Sequence, residues 1–478
     1  MTGPAPPARR RPRPDSRGPR PNRPAQRRAA DPARRAAYDL LRAVEERDAY
    51  ANLTLPALLR ERGLAGRDAA FATELGYGTL RATGTLDAIL ARCADRPLDA
   101  LDPEVLAALR LGTYQLLRTR VPAHAAVSAT VDLAPRRAAG FVNAVLRRVA
   151  RQGWDSWVST IAPPLAADPL GHLAVRYAHP KWVAAAFHDA LGGDLAETEA
   201  ALAADDRRPE THLVARPGRI SRDRLAALSG GEPGPWSPYA VRLSGGGDPG
   251  ALAPVRDGRA GVQDEGSQLT ALALAAVPLD GPDRTWLDLC AGPGGKATLL
   301  GCLAAGPAGV AEAAAPIRVL AVEKAAHRAR LVAAATGGLP VDVIQADGVV
   351  PAWRPGSFDR ALLDAPCTGL GALRRRPEAR WRRRESDLPR LTRLQRSLLR
   401  SALAAARPGG VIAYVVCSPH PAETREVLSD VLADGTADQL DARPLFPGVP
   451  DLDDGPQVQL WPHRHGTDAM FCALLLRR

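Results

Sequence analysis

Two short apolar runs in this 478-residue chain end in thiols. FDRALLDAPC passes through Asp364 to Cys367, and GVIAYVVC ends in Cys417, followed by Ser418 and Pro419. A thiolate at a strand end can add to an electron-poor carbon, and a second thiol with a carboxyl group can then move protons around the adduct. Hydride transfer has no use for that set, but alkylation at C5 of a pyrimidine does. Addition of Cys417 at C6 would push electron density onto C5, C5 would attack the methyl group of a sulfonium donor, a base would take the C5 proton, and the thiol would leave. The adduct needs an acid near N3, and Asp364 is the candidate.

A third element of the site is LDLCAGPGGKATLL, a strand, a glycine loop and a helix in sequence. Glycines let backbone approach a ligand closely, and a helix N-terminus offers unpaired N–H groups to an anion. The spacing is not that of a P-loop, because Cys290 stands where the first glycine would be and Ala297 follows Lys296. It fits the looser dinucleotide pattern at Gly292, Gly294 and Ala297. Glu323 ends the next apolar run, 31 residues beyond Gly292 because AAGPAGVAEAAAPIR intervenes, which is expected to form a surface loop. A carboxylate there suits the ribose hydroxyls of an adenosine cofactor, NAD or S-adenosylmethionine alike, and Asp347 is placed near the adenine; either acid could instead cap the following helix. Lys296 is one of three lysines among 63 basic residues, so a point charge is implied where an arginine fork would not fit.

The elements that must position these groups are readable from periodicity. TWLDLC, IRVLAVE, VDVIQAD, FDRALLDAP and GVIAYVVC alternate with helical stretches from Gly261 onward, the signature of a parallel, doubly wound α/β sheet with ligands beyond its strand ends. Asp288, Glu323, Asp347, Asp364 and Cys417 fall at those ends. Residues 36–155 carry apolar residues at helical spacing, as in AAYDLLRAVEE and PEVLAALRLGTYQLLR, and predict an all-helical domain. Residues 156–260, rich in glycine and proline towards their end, predict a connector or small α+β module.

The net charge of +11 is concentrated in residues 1–35, which supply +9 and are rich in proline, so a disordered basic arm for a polyanion is expected there. No apolar run approaches the roughly 18–20 residues of a membrane span, and a cytoplasmic location is expected. The six cysteines lack the spacing of a disulfide framework or a zinc site, so no metal is expected.

On these motifs the chain resembles the Nop2/Sun family of RNA 5-methylcytosine methyltransferases, and within it the bacterial small-subunit ribosomal RNA (RsmB/Sun) branch. CAGPGGK resembles its cofactor loop, AVEKAAHRARLV and QADG its next two motifs, DAPCTGLGALRRRPEARW its fourth and VVCSPHPAE its sixth. FATELGYGTLR, VPAHAAVSATVDLA and FVNAVLRRV resemble a NusB-like RNA-binding domain. The resemblance implies an all-α NusB-like domain joined to a Rossmann-like class I methyltransferase domain at 261–478. It implies Cys417 as nucleophile, Cys367 as the cysteine assisting release, and Asp364 at the target base and the cofactor. S-adenosylmethionine would be held by Cys290, Ala291, Gly292, Pro293, Gly294, Gly295, Lys296, Glu323, Asp347 and Asp364. The partner implied is 16S rRNA, naked or partly assembled, with the enzyme a monomer. Val416, Thr424 and Ala469 depart from the family's usual threonine, asparagine and glycine.

RRRPEARWRRR, residues 374–384, holds seven arginines and Trp381 just after Cys367, and is expected to contact RNA phosphates and stack on an unpaired base. The competing readings are a tRNA cytosine methyltransferase, a nicotinamide-dependent oxidoreductase and a catalytically silent RNA-binding assembly factor.

Overall fold

The computed structural model describes residues 1–3, 31–245, 247–306 and 316–478; most of the basic arm and the centre of the alanine-rich insertion lie outside the described residues. Six helices open the chain: α1 (Pro32–Arg47), α2 (Ala51–Glu61), α3 (Gly66–Cys93), α4 (Pro103–Arg118), α5 (Ala123–Leu133) and α6 (Ala139–Val149). The first begins before the expected Ala36, because Asp31 accepts a hydrogen bond from the Arg34 amide at 2.9 Å and Pro32 occupies the first turn. Leu40, Leu86, Ile89, Leu109 and Leu146, all inward on their helices, form one core.

Four short helices follow, α7 (Trp154–Ile161), α8 (Pro169–Arg176), α9 (Lys181–Ala190) and α10 (Leu195–Asp205). Next comes an antiparallel sheet of β1 (Thr211–Ala215), β2 (Glu232–Pro233), β3 (Ala240–Leu243) and β4 (Ala260–Val262) in the order β2-β3-β1-β4, with α11 (Arg222–Ser229) and α12 (Ala253–Arg256) between its strands.

The last unit opens with α13 (Glu265–Ala276) and continues β5 (Thr285–Asp288), α14 (Gly295–Ala304), β6 (Arg318–Glu323), α15 (Ala326–Ala335), β7 (Val341–Gln345) and β8 (Phe358–Asp364). It ends with α16 (Ala379–Arg382), α17 (Leu388–Ala405), β9 (Ala406–Val416), α18 (Arg425–Leu432), β10 (Ala437–Leu440), β11 (Val458–Gln459), α19 (Pro462–His465) and β12 (Phe471–Arg477). The strand order is β10-β12-β9-β8-β5-β6-β7, with β11 paired to β12. Chain order reverses direction at β5, so the crevice beyond β5 and β8 is the topological switch point where a ligand fits. The sheet is not wholly parallel as expected: β12 runs antiparallel between β9 and β10, with Phe471 opposite Val416. A strand arriving without a crossover helix pairs antiparallel. Among the described residues no helix is long and apolar enough to cross a membrane.

Most of the arginine tract after Cys367 is turned inward. Arg374 and Arg375 bond Asp468 at 3.2 and 2.9 Å, and Arg375 also reaches Asp264 at 2.7 Å. Burial would raise the Asp264 carboxyl, but Arg375 and His212 hold it far below the ordinary range. Arg380 has no solvent exposure and donates to the carbonyls of Asp205 at 2.6 Å, Ala178 at 3.2 Å and Tyr177 at 3.3 Å. Arg382 donates to the Val44 and Ala49 carbonyls, both at 2.8 Å, and Trp381 covers Gly84 so closely that a Cβ there would lie 2.1 Å from the ring. The expectation of RNA contact therefore fails for Arg374 and Arg375, which tie the loop after Cys367 to Asp264 and Asp468, and for Arg380, Trp381 and Arg382, which join it to α1, α3, α10 and the end of α8. Arg376 and Arg384 remain exposed.

Replacing Arg380 with methionine leaves those carbonyls without their buried donor and removes the main cation acting on fully buried Asp205. Urea unfolding of Arg380→Met is expected to show a loss of about 3–5 kcal/mol, the usual cost of breaking a buried charge arrangement; an unchanged midpoint would remove the tract from the interface energetics.

Candidate active site

The two thiols meet. Cys367 lies in the loop after β8 and Cys417 directly follows the last residue of β9; these strands pair in parallel, Asp364 beside Val415. Their Sγ atoms are 3.4 Å apart. A hydrogen bond from Cys367 holds the Cys417 thiol below its ordinary value despite burial, with Arg376 and Lys296 adding to the effect. The same bond, together with burial, drives Cys367 well above its ordinary value. The pair is thus biased towards a thiolate at Cys417 with Cys367 as its donor.

Lys296 stands at the start of α14 and donates to Asp364 Oδ2 at 2.7 Å. Burial opposes the ammonium, but the Asp364 carboxylate outweighs it and keeps Lys296 above its ordinary value. Lys296 therefore stands as an ammonium bonded to Asp364 Oδ2 at the mouth of the switch point, beside the two thiols. Asp288, one strand over, is buried, and that burial with Asp364 nearby pushes it up to about 7.

The glycine loop runs from β5 to α14 as expected. The Ala291 amide donates to Val322 at 2.9 Å, a cis peptide joins Gly292 to Pro293, and Gly294 has φ +113 just before Gly295 opens α14. Gly292 donates to Glu323 Oε2 at 3.2 Å, and it is Gly294, with its φ of +113 and a would-be Cβ 3.2 Å from the Val332 backbone, that requires glycine. Glu323 also accepts from the Ala325 amide at 2.9 Å and faces Arg328 at 3.5 Å. Asp347 pairs with Lys324 at 2.8 Å and accepts from the Val349 amide at 3.1 Å. Both acids thus combine a helix- or turn-capping bond with a position at the crevice. Cys290 is pushed up by burial and by Asp288, which makes it a packing group rather than a nucleophile. A glycine loop bordered by Glu323, Asp347 and Asp364 offers close backbone approach and carboxylate acceptors, which suits a ligand bearing ribose hydroxyls.

Sequence reasoning missed the supports of the thiols. Thr368 follows Cys367 and Ser418 follows Cys417, and their hydroxyls lie 3.1 Å apart. Fully buried Glu423 accepts from the Thr368 amide at 2.8 Å and from Gln395 Nε2 at 3.1 Å. A hydroxyl residue after each cysteine was the signal available. The departures from the family pattern are also explained: Val416 and Ala469 are packed in core clusters, and Thr424 Oγ1 donates to the His420 carbonyl at 3.0 Å, closing the turn after Cys417.

Residues 276–476 match the model of the 16S rRNA methyltransferase RsmB/F family, and residues 31–151 that of the NusB family. A ribosomal RNA small subunit methyltransferase B of Erwinia tasmaniensis is 32% identical over 455 residues, covering 92% of this chain and 97% of its own. The chain belongs to the RsmB/F family. A Mycobacterium tuberculosis protein with only the general name of methyltransferase is 58% identical over 446 residues, covering 92% of this chain and 95% of its own. The crystal structure of PH0851 superposes with a TM-score of 0.76 at 22% identity, over 94% of this chain and 100% of that one, and so shares the whole fold. Membership in the RsmB/F family makes the chain a methyltransferase and sets aside the oxidoreductase reading. The sheet with its antiparallel β12 and the NusB-type helical domain are the family's two parts in one chain.

If Cys367 is the donor that lowers Cys417, its loss raises the Cys417 pKa and moves thiolate formation to higher pH. Alkylation by iodoacetamide, mapped by peptide mass across pH, is expected to modify Cys417 first in the wild type, with a higher midpoint in Cys367→Ala. An unmoved midpoint would break the assignment of donor and acceptor.

Proposed function

We propose that the protein methylates C5 of a cytosine in 16S rRNA through a covalent bond between Cys417 Sγ and C6. The observation that carries this reading is the polarised thiol pair beside Lys296 and Asp364. S-adenosylmethionine, when bound, would supply an electrophilic methyl group at the crevice beyond β5 and β8. Cys290 through Lys296, Glu323, Asp347 and Asp364 are proposed to hold it, the glycine loop by close backbone approach and the acids through hydroxyl and amino groups.

Cys417 bonds to C6 as the C5–C6 electron pair shifts onto C5 and through the ring towards N3, where the Lys296–Asp364 pair holds a proton. Once Cys417 is neutral in the adduct, the negative sulfur that contributes most to raising Cys367 is gone, which favours transfer of the Cys367 proton to solvent. After C5 has taken the methyl group, which would leave the donor sulfur as a neutral thioether, Cys367 takes the proton from C5 while the C6–S bond breaks, Cys417 departs as thiolate, and N3 returns its proton to the Lys296–Asp364 pair. The target base must be unstacked to reach these groups, as for other enzymes that work on a base. The small-subunit rRNA named for the relatives, and the NusB-type domain braced against the catalytic loop, support rRNA over tRNA.

The test is to incubate the protein with methyl-labelled S-adenosylmethionine and, separately, 16S rRNA, 23S rRNA and bulk tRNA, then digest to nucleosides. Label in 5-methylcytidine from 16S rRNA alone is expected, reduced by roughly 10³-fold or more in Cys417→Ala. Label confined to tRNA, or none in cytidine, would overturn the assignment.

A further inference from the structure

Beside the two thiols lies a buried carboxylate to which the mechanism above gives no task. Glu423 sits in the short turn after Cys417 with no exposure, and every donor it meets is neutral: the Thr368 amide, the Thr368 hydroxyl and Gln395 Nε2. Burying a carboxylate without a cation is costly, and three donors aimed at it are what make the charge tolerable. Two further contacts fix where it stands. Tyr414 donates to the Glu423 carbonyl at 2.7 Å, and Gln395 donates also to the Pro366 carbonyl at 2.9 Å, just before Cys367.

The bonds converge on the residue that follows each thiol. Thr368 is held by Glu423 through both its amide and its hydroxyl, and that hydroxyl lies 3.1 Å from Ser418 Oγ. Clamping Thr368 and Ser418 together fixes the two cysteines that precede them.

We infer that Glu423 is a positioning residue for the methyl transfer: by clamping Thr368 against Ser418 it sets the Cys367 thiol at 3.4 Å from Cys417, where it can take the C5 proton. The inference rests on the two-cysteine reading of the site. The electrostatics add to the geometry, because Glu423 raises Cys367 and so makes it the stronger base of the pair, while Lys296 and Arg376 favour the thiolate of Cys417. Glutamine in place of Glu423 would turn an NH2 group towards at least one of the donors, since an amide is acceptor on one side only.

The clamp therefore governs release more than attack. With Glu423→Gln, S-adenosylmethionine and 16S rRNA, the expected result is turnover at least tenfold lower and a denaturation-stable protein–RNA adduct that accumulates as in Cys367→Ala. A role in folding alone would lower turnover and adduct together. Thr368→Val, which removes the hydroxyl at constant shape, is expected to accumulate the adduct, and Thr368→Ser to restore release; this pair decides the matter if Glu423→Gln fails to fold. Turnover within twofold of wild type in Glu423→Gln, or loss of turnover without adduct in a folded variant, overturns the inference. Methylation that survives in Cys417→Ala would instead overturn the two-cysteine reading beneath it.

Discussion

The buried guanidinium of Arg380 is the constraint on which the arrangement of this molecule depends. Its charge is wholly withdrawn from water, and burial pulls it down to about 10. Such a group is stable only where acceptors are already in place, so the ends of α8 and α10 and the middle of α3 must all present carbonyls at one point. The segment that delivers Arg380 begins just beyond Cys367. The helical domain and the catalytic loop consequently share one anchor, and neither can be repositioned without exposing or orphaning a charge.

Within that frame the proposed site makes two identical side chains different. Asp364 acts on both sulfurs, but Cys417 also feels Lys296 and Arg376 whereas Cys367 feels Glu423, which biases the proton between the sulfurs towards Cys367. The asymmetry comes from β8 and β9 pairing in parallel, which places both strand ends at the switch point and brings loops from different parts of the chain into contact. Lys296 reaches the same place from the neighbouring strand–loop–helix unit and ties its proton to Asp364.

Much of this was legible in the sequence because it lives in local pattern. Apolar runs of strand length ending in Asp288, Glu323, Asp364 and Cys417 marked the sheet and its functional edge, and glycines marked the loop. What was not legible depends on long-range partners. RRRPEARWRRR has the composition of an RNA-binding tract, yet Arg375 is spent on Asp264 and Asp468, and Arg382 on α1 and the turn behind it. Composition reports charge, and only the fold reports whether that charge is already neutralised. Glu423 was hidden for a related reason, since its significance lies in Thr368, 55 residues away.

The identity of the attacking sulfur is the claim on which the rest turns, and it can be read directly. RNA carrying 5-fluorocytidine lacks the C5 proton whose removal frees the enzyme, so the attacking sulfur stays bonded to C6 after methyl transfer. Peptide mass mapping of the wild-type protein trapped on such 16S rRNA is expected to place the nucleotide on Cys417. A nucleotide on Cys367, or a labelled RNA with no adduct at either sulfur, would contradict it.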